Sequence, residues 1–92
     1  MITARKIERT AEEEKAYHES IFAHMEEAQN VSALYSIQGY INASKIGGYT
    51  ADAVRAQEIL DRRVIAVKAR YEKNGWKFDF LTPEERAKRG QL

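Results

Sequence analysis

Apolar positions recur along most of this chain in steps of three and four, the period of an amphipathic helix. Tyr17, Ile21, Phe22, Met25 and Ala28 form the first such stripe. Thr10 and Glu13 stand ahead of it as a capping box, and Glu12 to Glu14 put negative charge at the positive end of the helix dipole. The pattern predicts a first helix over 10–29. Ile7 lies on the same stripe, and Thr3 could open the helix earlier.

Val31, Leu34, Ile37 or Gln38, and Ile41 continue the spacing into a second helix over 31–46, entered at Asn30 or Ser32 and stopped by Gly47-Gly48. Gly39 in its middle costs about 0.8–1 kcal/mol against Ala, which reads as close approach to a neighbouring helix. The β-branched residues leave a strand across 34–41 open as an alternative. A third helix over 50–74 is capped by Thr50, with Ala53, Ala56, Leu60, Val64, Val67 and Tyr71 on its apolar stripe and Ile59 on the flank. Asn74-Gly75 supplies a left-handed stop. At about 1.5 Å per residue this helix is long for so small a chain.

Beyond Gly75, the segment "WKFDF" alternates. Trp76, Phe78 and Phe80 share one side of an extended strap, with Lys77 and Asp79 on the other. Thr82 and Glu85 then form a second capping box with Pro83 at the first helical position, predicting a short helix over 83–89. The expected fold is all-α, a single small three-helix bundle with an aromatic strap and a short C-terminal helix.

Composition narrows the function. The chain has 92 residues, with 15 Lys and Arg against 14 Asp and Glu, a net charge of +1. The charges are segregated. Residues 11–30 hold six Glu and one Lys, a net of −5, whereas residues 45–77 hold eight bases and four acids, a net of +4. An acidic helix lying beside a basic one satisfies both, within the chain or between copies. There is no cysteine, which removes disulfides, thiolate nucleophiles and Cys-based metal sites. No apolar run approaches the ~20 residues that span a bilayer, and the first residues lack a signal-peptide core. A soluble, cytoplasmic protein with no membrane partner is expected.

Catalytic patterns are missing. Glu14 and His18 lie four apart on one helix face, but neither histidine has a glutamate three positions before it, as a di-iron bundle requires. No nucleophile elbow frames a serine. Gly47-Gly48 lies between two helices and not after a strand, so it is no phosphate loop. The expectation is a non-enzyme with no catalytic residue, cofactor or metal.

Rings are abundant. Five tyrosines and a tryptophan exceed what a bundle of this girth hides, and Tyr, Trp and Arg are the residue types that anchor interfaces. Tyr35, Tyr40, Tyr49, Trp76 and Phe78 are therefore the candidate protein interface. Arg55, Arg62, Arg63 and Arg70, off the apolar stripe of the third helix, are a candidate charged contact face; pairing with the glutamates of the first helix is their default role. The expected function is protein–protein interaction with self-association as a homodimer or larger, of the sort found in small bacterial or phage accessory proteins, inhibitors and assembly factors. Two alternatives remain. Arg62, Arg63, Lys68, Arg70, Lys73 and Lys77 could follow a nucleic-acid backbone, or Tyr35 or Tyr40 with Arg62 or Arg63 could hold a nucleotide or other small ligand.

Overall fold

A computed structural model describes residues 10–90. They form four helices and, among the described residues, no strand: α1 (Ala11–Met25), α2 (Val31–Ile46), α3 (Thr50–Asn74) and α4 (Pro83–Lys88). The all-α bundle expected from the apolar period is the observed architecture, and the strand alternative across 34–41 is replaced by α2. Thr3 and Ile7 lie outside the described residues.

Helix ends follow local chemistry. Thr10 accepts from the N–H of Glu13 while the Glu13 carboxylate accepts from the N–H of Thr10, closing the capping box. Asn30, and not Ser32, caps α2 by accepting from the N–H of Ala33 at 2.8 Å. α2 ends as the Tyr49 N–H reaches back to the Ser44 carbonyl, with Gly48 at φ +80°; a β-carbon would be strained there. Thr82 and Glu85 repeat the capping box at α4.

Three boundaries or roles differ from expectation. α1 stops at Met25 rather than 29. Residues 26–30 turn instead, which frees the Ala28 carbonyl to accept from Arg63 of α3. Thr50 is the first helical residue and not the cap; Tyr49 precedes it and makes no side-chain capping bond. The N-cap position falls on Tyr49, whose carbonyl accepts from the N–H of Ala53 but whose phenol is too far from the backbone N–H groups to cap them. Gly39 is exposed, and a β-carbon built on it meets nothing within 4 Å. No neighbouring helix of the same chain approaches it, so the close-approach explanation fails within the protomer.

α2 and α3 are the closely packed pair, and α1 lies further off. Leu34, Ile37 and Ile41 of α2 join Ala56, Leu60 and Val67 of α3 in one cluster, completed by Phe22, Met25 and Ala28 from the α1 end and Phe80 from the strap. Full burial of each large side chain is worth roughly 1.5–3 kcal/mol. Contacts fix the directions. Glu19, Glu26 and Ala28 meet Arg55, Arg62 and Arg63 in rising order, so α1 runs parallel to α3. The end of α3 meets the start of α2, where the Tyr71 hydroxyl accepts from the N–H of Val31 at 3.0 Å. The three long helices run up, down and up.

The strap is built from rings. At Gly75, φ +69°, the chain leaves α3 and the Trp76 N–H returns to the Tyr71 carbonyl. Trp76 and Phe78 both stand edge-on to the Tyr71 ring, with centroids 5.4 and 5.8 Å away. Burial deepens along the strap, from half-exposed Trp76 through half-buried Phe78 to buried Phe80. Phe80 packs 4.8 Å from the Tyr35 ring. The Tyr35 hydroxyl donates to the Asp79 carbonyl at 3.2 Å and accepts from the Leu81 N–H at 3.0 Å. One phenol thus holds the strap by two backbone groups.

Tyr35→Phe keeps the ring against Phe80 but leaves the partly buried Leu81 N–H unpaired. A loss of about 1–2 kcal/mol is expected in urea unfolding. An unchanged midpoint would show that ring packing alone holds the strap.

Candidate functional site

The basic face of α3 is largely engaged within the chain. Arg55 forms a bidentate pair with Glu19, at 2.7 and 2.9 Å, and its guanidinium lies 4.2 Å from the Phe22 ring centroid. Arg62 meets Glu26 at 2.5 Å. Glu19 and Glu26, and Arg55 and Arg62, are each seven apart, so both pairs repeat along one seam. Arg63, half-buried, donates to the Ala28 carbonyl through Nε and Nη2. Arg70 reaches the Gln29 side-chain oxygen and sits 5.7 Å from the Trp76 ring. All four arginines named from the sequence therefore tie α1 or the 26–30 turn to α3. The ion pairs are exposed, and such pairs contribute little to stability. Their effect is to set where α1 lies.

Held toward α3, α1 leaves its other flank open to α2. Between them runs a groove of about 680 Å³. Ile21, Met25 and Ala28 form its α1 wall, and Ala33 and Ile37 its α2 wall. Tyr17, Ser20 and His24 border it on one side, Ser36 and Tyr40 on the other. The stripe read from α1 is thus divided. Phe22, Met25 and Ala28 are buried, whereas Ile21 is only half-buried and Tyr17 is 47% exposed.

The aromatic candidates fall into different places. Tyr40 borders the groove and stands edge-on to Phe22 at 5.7 Å. Burial pushes its phenol above the usual tyrosine value, with Asp52 adding to the shift and Ser44 opposing it. Tyr35 and Phe78 belong to the strap contacts. Trp76 is 51% exposed beside Arg70. Tyr49, 65% exposed, lies at the far turn with Ile46 and Val54, which are 89% and 54% exposed. The rings therefore do not form one surface. Tyr40 alone of the five meets the groove, and Ile21, Met25, Ala33 and Ile37 were missing from the sequence-based interface. Apolar spacing marks Ile21, Met25 and Ile37 as core, which holds for Met25 and Ile37, whereas Ala33 lies off the stripe; spacing along one helix cannot show which flank its neighbour leaves open.

No family model, curated protein or solved structure matches this chain.

The alternative ligand sets can be placed as well. Arg62 and Arg63 point to α1 and its turn, while Tyr35 holds the strap and Tyr40 borders the groove. The geometry does not gather them around one ligand. Of the six bases proposed to follow a nucleic acid, the three arginines have partners inside the chain. Lys68, Lys73 and Lys77 are exposed. A second crevice of about 520 Å³ lies among α2, α3 and the start of α4. Its amides pair along their own helices, Gln38 with Asn42 and Gln57 with Asp61. Among the described residues no group of three His, Asp or Glu is arranged to hold a metal, and no helix is long and apolar enough to cross a membrane.

The Glu19–Arg55 pair ties the seam between α1 and α3 to pH. The Arg55 hydrogen bond holds the Glu19 carboxyl below its ordinary 4.5, against the opposing effect of desolvation. A depressed folded-state value stabilises the fold at pH above the unfolded value, and that contribution is lost as pH falls through the lower folded value. Acid titration below 4.5 should therefore loosen α1 from α3. NMR of the Glu19 carboxyl should show titration below 4.5, and Glu19→Gln should remove part of the acid sensitivity; a Glu19 midpoint at or above 4.5 contradicts the pairing.

Proposed function

We propose that this chain is a non-enzymatic protein-binding module whose groove between α1 and α2 receives an apolar helix of a protein partner. The observation that carries the reading is the groove itself, walled by Ile21, Met25, Ala28, Ala33 and Ile37. Its accessible apolar surface comes from half-buried Ile21 and Ala33 and the bordering Tyr17 and Tyr40, above a floor of buried Met25, Ala28 and Ile37, and on such a surface an amphipathic helix lays its apolar face. Such an occupant would sit against α1 and α2 as a fourth long helix and cover apolar area that water now reaches. Bordering tyrosines suit this role, since their rings are rigid and amphipathic.

Arg55 and Arg62 favour this surface over a phosphate-binding one, because each is paired with a carboxylate, and a cation so paired releases few counterions on meeting nucleic acid. The strap supports the groove indirectly. By fixing Val31 through Tyr71, it positions the first turn of α2, including Ala33.

A photoreactive residue placed at Ser20, exposed on the groove border, should give a discrete protein adduct in the native host. The same residue at Ala69, exposed on α3, should not. Equal labelling at both positions, or no protein adduct at Ser20, would overturn the reading.

A further inference from the structure

Two rows of carboxylates run along α1 and the turn after it, and they differ in what answers them. Glu19 and Glu26 face α3 and are paired with Arg55 and Arg62. The second row belongs to the groove. Tyr17, Ser20 and His24 line it at steps of three and four, and Glu13, one turn ahead of Tyr17, stands on the same face of α1. Glu27 lines the groove at its other end. Glu13 and Glu27 are both exposed, and among the described residues no lysine or arginine pairs with either. No Lys or Arg lines the groove at all. Its α2 side is uncharged, since α2 has no Asp, Glu, Lys or Arg between Val31 and Ser44.

We infer, on the reading of the groove as a protein-binding face, that the partner helix bears lysine or arginine along the flank that meets α1, no charge along the flank that meets α2, and an apolar face between them. The contact of α1 with α3 shows the same chemistry within the chain. There a helix sets its apolar stripe against Phe22 and Met25 while its arginines reach carboxylates along the edge. An occupant of the opposite flank repeats that contact with Glu13 and Glu27 in place of Glu19 and Glu26. Selectivity comes from repulsion as much as from attraction. An acidic flank would be set against Glu13 and Glu27 with no base of the groove to answer it. A charge of either sign on the α2 side would meet only the hydroxyls of Ser36 and Tyr40. Charges on the rim of an interface act mainly on encounter rate and choice of partner, so preference between partners is what reports them.

Two model peptides of equal length, each with leucines at three- and four-residue steps, separate the charge from the apolar face. One carries lysine along a single flank and the other glutamate at the same positions, with glutamine elsewhere. At low salt the lysine peptide should bind about tenfold more tightly than the glutamate peptide or better, and should shift the amide resonances of Ile21 and Ala33. Glu27→Lys should abolish or reverse the preference. Glu12→Lys makes the same change of net charge at an exposed α1 position outside the groove, and should leave most of it. Tighter binding of the glutamate peptide, or equal effects of the two substitutions, overturns the inference, as does a Ser20 photoadduct to the chain itself or to a second copy. If both peptides bind the groove alike, only the basic flank falls and the groove remains a helix site. If neither shifts Ile21 or Ala33, the inference falls, and the protein-binding reading falls with it when the Ser20 probe also gives no adduct.

Discussion

The position of α1 is the constraint from which the other features follow. Arg55 and Arg62 hold Glu19 and Glu26 on its α3 side. Arg63 adds a bond to the turn after α1. Exposed ion pairs are weak in free energy, and Phe22, Met25 and Ala28 supply the burial. The pairs mark direction instead: they lie on the α3 side of α1, and the flank toward α2 is the one that borders the groove.

Much of the fold could be read from local sequence because its boundaries rest on local chemistry. Thr10 with Glu13, Thr82 with Glu85, Asn30 and Gly75 each act within a few residues, and each sets the helix end expected of it. Thr50 was misread because the cap position falls one residue earlier, on Tyr49. The end of α1 was misread because the partner of the carbonyl freed there, Arg63, lies 35 residues away.

The site was much less legible. Ile21 looks like core in a periodicity argument, Ala33 falls off the stripe, and Ile37 is core as its spacing says; only the placement of α1 beside α2 brings all three to one groove. Tyr35 looked like an interface ring, but its partners, Asp79 and Leu81, lie 44 and 46 residues along the chain. The arginines of α3 looked available to a partner and are engaged by α1 and its turn. Charge segregation did point to that engagement, since an acidic segment and a basic segment of one chain find each other readily. It could not indicate which side of the bundle the pairing would leave uncovered.

The phenols of Tyr35 and Tyr71 bind backbone groups far away in sequence, and this has a bearing on how the molecule is made. A ribosome delivers α1, α2 and most of α3 before Trp76, Phe78 and Phe80 emerge. Until then the Tyr35 hydroxyl has only water to bond, and the Tyr71 ring lacks the two aromatics that steady it over Val31. The hairpin of α2 and α3 can form during synthesis, but its final tightening waits for the last aromatic residue to leave the exit tunnel.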